Sequence, residues 1–216
     1  MTHTLHRQGD EESLKKDYVV LAMAHKGLNS DGAGDKLRKI ADIMHSHNPV
    51  NMGIMGPTKD GRAACMVRGV TLEEIKEAIH DGSILHAVYT EKETVNKVLE
   101  DIKKTDLGIS IVVSGLFNEV FSILNENETP LPHTINMSLG VHGKIDLLPE
   151  PEVLEISTMC GHGLVSHNLV RDRMEKVAKG KMSAEKAAKD LASQCVCGIF
   201  NPERARELLE KYGKKF

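Results

Sequence analysis

The stretch Thr71 to Lys104, "TLEEIKEAIHDGSILHAVYTEKETVNKVLEDIKK", decides the fold class. Thr71 and Glu74 stand at the spacing of a capping box, Leu72, Ile75 and Ile79 recur at helical intervals, and Gly82 marks a stop. Ile84 to Thr90 follows as an apolar run of strand length. Thr90 and Glu93 then repeat the capping pattern, and Val95, Val98, Leu99 and Ile102 draw one apolar stripe along a second helix. Helix, strand and helix follow one another with little loop between them, as in a sheet layered with helices.

The same rhythm extends in both directions. Further Val- and Ile-rich runs lie at Tyr18 to Ala24, Val50 to Met55, Ile109 to Ser114, Thr134 to Leu139 and Val153 to Met159. Helical stripes pass through Leu37, Ile40 and Met44, and through Phe117, Val120, Phe121 and Leu124. The alternation predicts an α/β fold: a mixed, mostly parallel sheet of about six strands with packed helices. "VHGKIDLLPEPE" is too short and too rich in Pro for a crossover helix, so the sixth strand is expected antiparallel to the fifth. Beyond Met159 the pattern is helical: Leu164 to Ala178, Ser183 to Ala192, and Pro202 to Tyr212, the last with Asn201 as N-cap and Pro202 in the first turn. Residues 1–16 read as a flexible N-terminal arm, and 17–216 as a single α/β domain ending in this three-helix segment.

Composition narrows the function classes. The net charge of −3 is spread over interspersed signs with no basic block, which argues against nucleic acid as a partner. Aromatic residues are only 3% with no Trp, so there is no platform for stacking bases. No apolar run approaches the ~20 residues of a membrane helix, and "MTHTLHRQGDEESLKKD" has no signal-peptide core, so the chain reads as cytoplasmic with no membrane partner. Four cysteines in that setting are expected to be free, metal-bound or catalytic.

Three of those cysteines carry the functional reading. In "TMCGHG" Cys160 stands between an apolar run and a helical pattern, where a helix N-terminus would hold its pKa below the ~8.5 of a free thiol. His162 beside it carries a proton near neutrality, and Gly161 and Gly163 let the chain turn and a ligand approach closely. In "SQCVCGIFNPERARELL", Cys195 and Cys197 lie two apart between two helices. With Cys160 they make a metal set: three thiolates for a [4Fe–4S] cluster with its fourth iron open, or, with His162, a Cys₃His zinc site. The helices between the two stretches form an αα-hairpin, which allows them to meet. Ser114 and Gly115, ahead of another helix, suit a carboxylate or phosphate. His142, in the loop before the sixth strand, is a candidate general base or extra ligand.

The residues Met159 to Gly163, "MCGHG", resemble the first catalytic-cysteine motif of the proline racemase family. The resemblance implies that Cys160 is half of a two-thiol pair that removes and returns a proton at an amino acid's α-carbon. The family's second cysteine motif has no match here; "QCVCGIFNP" is the nearest stretch. Taken together, the residues predict a cytoplasmic enzyme acting on a small anionic metabolite through a cysteine-rich site. A metal or Fe–S centre of lyase, dehydratase or desulfurase type leads. The alternatives are a metal-free cysteine acid/base isomerase or racemase, and a metal-carrier or ligand-binding regulatory module. A homodimer is common enough to expect.

Overall fold

The computed structural model describes residues 4–126 and 132–213. Five strands, β1 (Tyr18–Met23), β2 (Asn51–Pro57), β3 (Ala63–Cys65), β4 (Ile84–Tyr89) and β5 (Ser110–Ser114), make one sheet in the order β3-β2-β4-β1-β5. Every neighbouring pair is antiparallel. This corrects the mostly parallel six-stranded sheet expected from the sequence. The strands joined through helices do point the same way, β1 with β2 and β4 with β5. However, β4 lies between the first pair and β1 between the second, each in the opposite sense. Alternation of strand and helix fixes the direction of successive strands but not whether they become neighbours.

The expected fifth and sixth strands are absent from the described sheet. Thr134 to Leu139 runs through an exposed segment without ladder partners among the described residues, leaving Met137 67% and Leu139 88% exposed. Val153 to Met159 begins instead as a helix, Pro151–Ser157, with Pro151 in its first turn and Val153, Leu154 and Ile156 buried. A seven-residue apolar run is compatible with either state. Here Pro151 presets the first helical φ and its missing N–H would have had no partner there in any case.

The helices are α1 (Glu11–Leu14), α2 (Ala33–Ser46), α3 (Leu72–Ala78), α4 (Lys92–Thr105), α5 (Phe117–Glu126), α6 (Pro151–Ser157), α7 (His167–Ala178), α8 (Ala184–Ala192) and α9 (Pro202–Gly213). The Thr71–Glu74 capping box forms at the start of α3. The second one does not: α4 is preceded by Glu91 as N-cap, one residue beyond Thr90, with no side-chain cap. No helix among the described residues is long and apolar enough to cross a membrane.

The sheet is covered on both faces. Along β1, Tyr18, Val20 and Ala22 pack with Leu37 and Ile40 of α2, Ile75 of α3 and Val95 and Val98 of α4. The alternate residues Val19 and Leu21 pack on the other face with Ile156, Val170, Leu191 and Leu209 from the C-terminal helices. Strand residues point to the two faces in turn, so a strand buried on both loses its polar alternation and reads as a continuous apolar run. The segment before β1 lies along this C-terminal layer. The buried Asp17 carboxylate receives Arg204 Nη1 at 2.8 Å and Asn201 Nδ2 at 3.0 Å, and Arg204 Nη2 also donates to the Gln8 carbonyl at 2.7 Å.

Candidate functional site

The two cysteine-bearing stretches meet in the C-terminal layer beneath the sheet. Cys160 lies in the turn after α6, where its N–H donates to the Ser157 carbonyl at 3.2 Å. Cys195 and Cys197 lie in the loop between α8 and α9. These three and Cys65 of β3 are all buried free thiols. The second loop is pressed onto the sheet: a Cβ at Gly198, whose φ is +79°, would come within 2.8 Å of the Gly53 nitrogen. A Cβ at Gly53 would in turn meet the Ala64 carbonyl oxygen at 2.5 Å and that of Cys197 at 3.0 Å. Two backbones approach this closely only where neither carries a side chain. Asn51 Nδ2, donating to the Phe200 carbonyl at 3.0 Å, holds the same loop from β2.

Arg7 ties this loop to the Cys160 turn. Its side chain, 6% exposed, pairs with Asp17, donates to the Ile199 carbonyl, and reaches the Met159 carbonyl at 3.4 Å. One guanidinium thus holds carbonyls from both cysteine loops, as a fixed planar fork of donors can.

The sulfurs form a row. Cys160 hydrogen-bonds Cys195, Cys195 Sγ is 3.9 Å from Cys197 Sγ, and Cys197 Sγ is 3.8 Å from Nδ1 of the exposed His162. The bond from Cys195 holds the Cys197 thiol below its ordinary value in spite of burial. At Cys195 the bond from Cys160 favours the thiolate, but the bond to Cys197 and burial outweigh it and hold the thiol at about 11. Cys160 is pushed well up, first by its bond to Cys195 and then by burial, although the N–H groups of Leu164 and His162 favour its thiolate. The sequence places the activated thiol at Cys160; in the structure the thiol shifted downward is Cys197, by its bond from Cys195. Helix α7 starts only at His167, so Cys160 is not at its N-terminus.

Cys160 lines an open cleft of about 650 Å³. Ser157, Thr158, Gly161 and Gly163 line it from the chain around Cys160, and Ser166, His167, Asn168 and Arg171 from the start of α7. His6 and the Leu147 to Pro149 segment complete the wall. Cys195, Cys197 and His162 do not line the cleft. Ser114 and Gly115 lie at the end of β5, and His142 lies in the exposed segment with Nε2 3.0 Å from the Leu139 carbonyl; none of the three lines it. Comparison with protein-family models, curated proteins and solved structures returns no match. The chemistry of the site therefore rests on its own geometry.

Among the described residues no group of three or more His, Cys, Asp and Glu side chains is already set to hold a metal ion. The spacings in the row nonetheless suit soft-metal ligation. Metal–sulfur bonds of ~2.3 Å in a tetrahedron put neighbouring donors roughly 3.8 Å apart. The Cys195–Cys197 and Cys197–His162 separations of 3.9 and 3.8 Å are of that size. At neutral pH Cys160 and Cys195 carry protons, which ligation would displace.

Sequence reading found the three thiols and His162 through their glycine-flanked loops. It missed His6, Arg7 and Ser157. Arg7 stands ten residues from Asp17 and far from Met159 and Ile199 along the chain, so no local spacing announces it.

Proposed function

We propose that the protein is an enzyme acting on a small anionic metabolite in this cleft, through a soft metal ion or Fe–S cluster on Cys160, Cys195 and Cys197 with His162 beside them. The observation that carries the reading is the convergence of Cys160 with the sequence-distant pair Cys195 and Cys197 into one buried row, of which only Cys160 lines the cleft. Thiolates suit zinc and iron–sulfur chemistry. Bound there, such a centre would supply Lewis-acid activation of a substrate oxygen or sulfur, as a lyase, dehydratase or desulfurase requires. The protein's own part is to present the substrate to Cys160 and to move the displaced protons along the row toward His162 at the surface.

A second reading is favoured by the same hydrogen bonds. Cys160 as a neutral thiol is a proton donor, and the bonds through Cys195 to Cys197 offer its proton a path. This is the metal-free acid/base isomerase or racemase. It lacks a second thiol on the opposite wall of the cleft among the lining residues.

Anaerobic purification followed by metal and sulfide analysis and a visible spectrum separates the two. Iron with acid-labile sulfide and a broad band near ~400 nm, or stoichiometric zinc, is the expected result. Cys160→Ala should then lose both metal and turnover. A colourless, metal-free protein overturns the metal centre and puts the thiol acid/base reading in front.

A further inference from the structure

We infer that the first turn of α7, together with Ser157 and Arg171, forms the seat for the oxyanion, carboxylate or phosphate, of the molecule that reacts at Cys160. The inference rests on the proposed function for its placement beside a reactive centre, and names the group by which the substrate is held. Helix α7 runs from His167 to Ala178, and its N-cap Ser166 makes no side-chain cap, so the first-turn N–H groups are left for a partner. Ser166, His167 and Asn168 face the cleft that Cys160 lines. Unpaired N–H groups and the positive end of the helix dipole at such a point favour an anion.

A second observation, from a different element, points to the same ligand. Ser157 at the end of α6 also lines the cleft; it is 4% exposed, and its hydroxyl has no hydrogen-bond partner among the described residues. A buried hydroxyl left unmatched is costly, and a bound oxygen that accepts from it removes the cost. Arg171 supplies the charge. Its Nε and Nη2 rest on Glu150 Oε2 at 3.0 and 2.7 Å, an exposed pair of the weakly held kind that an incoming anion displaces at little cost.

The start of α2, beside a smaller pocket, is a helix N-terminus filled from within the chain. There the Asp81 carboxylate accepts from the N–H groups of Gly34 at 2.8 Å and Gly32 at 3.2 Å. Among the described residues no carboxylate accepts from the first-turn N–H groups of α7, and Glu150 is engaged by Arg171.

The test is an amide NMR titration of the full-length protein with inorganic phosphate and, separately, acetate, following the N–H groups of His167, Asn168 and Leu169. Saturable shifts at these amides with either anion are expected. Saturation by acetate alone assigns a carboxylate ligand and by phosphate alone a phosphate. Ser157→Ala should weaken binding about tenfold, the worth of one hydrogen bond to a charged group. The same change should leave the melting temperature unchanged or higher, because it breaks no internal bond. Glu150→Gln, which removes the competitor for Arg171, should tighten binding about threefold. No saturable shift, or equal affinity in wild type and both variants, overturns the seat. Metal analysis of the same sample keeps the two readings apart: anion binding by metal-free protein leaves the seat standing without the metal centre, and a metal-loaded protein without anion binding does the reverse.

Discussion

At Gly198 the chain must both turn with φ +79° and lie against the Gly53 backbone. Gly198→Ala violates both conditions and should cost about 2–4 kcal/mol, as left-handed strain plus overpacking. The cost is measurable by denaturant unfolding, and faster alkylation of Cys195 and Cys197 should accompany it as the loop lifts. The thiols give a second expectation. Burial holds Cys65 at about 11, and Cys195 stands at about 11 once its bond to Cys197 and burial outweigh the bond from Cys160. In the unfolded chain both lose their protons near 9. Between those values the native state binds more protons than the unfolded state, so stability falls as pH rises, by up to about 1.4 kcal/mol per pH unit for each group. Thermal melting of the metal-free protein from pH 8.5 to 11 should show this decline, and Cys65→Ser, which removes one of the groups, should make it shallower. That the loops of Cys160 and of Cys195 and Cys197 could meet was legible from the αα-hairpin between them, whereas Ser114, Gly115 and His142 lie away from the cleft and Arg7 and Ser157 gave no local signal. Which thiol is acidic was not legible, because that depends on which sulfur donates to which.

Elements were legible where periodicity exceeded two turns. The stripes of α2 and α4 and the box of α3 stand as read; the three C-terminal helices form, but the first starts at His167 and not at the expected Leu164, which takes Cys160 away from its N-terminus. Two short runs were misread as strands: Thr134 to Leu139, which lies exposed outside the sheet, and Val153 to Met159, where seven residues do not separate a period of 2 from one of 3.6. The second had consequences for the site: a strand there would have put Cys160 at a sheet edge, whereas α6 places it in the helical layer beside Cys195. The segment before β1 is the other element whose importance the sequence hid, since Arg7 acts through contacts distant along the chain. Arg7→Ala should destabilise by about 3 kcal/mol, the low end for a broken buried pair because Arg204 still serves Asp17. It should also speed the reaction of Cys160 and Cys195 with a thiol reagent, while Arg7→Lys, which keeps the charge on Asp17, should recover stability more than thiol protection. Equal reactivity in all three proteins would show that the clip does not set the spacing of the row.

For the whole molecule, chain order and layer coincide. After β1, everything up to α5 belongs to the sheet and the helices on its first face, and everything from α6 onward covers the second. The sheet's antiparallel order was the feature least accessible from sequence, because strand neighbours are chosen by burial on both faces and not by succession. Between the two halves runs the exposed segment containing Ile135, Met137, Leu139 and Lys144. Limited trypsin digestion should cut first after Lys144, and the two pieces should co-elute on gel filtration, held by Val19, Leu21 and Val88 against the C-terminal helices. Fragments that separate would show that the covalent link is needed for the packing. The tie between the cysteine loops then takes on another meaning. Arg7 and Cys65 come from the first piece and Cys160, Cys195 and Cys197 from the second, so neither piece holds the whole arrangement. Expressed as separate polypeptides, the halves would be a complementation pair in which the chemistry of the sulfurs itself reports that the two have met.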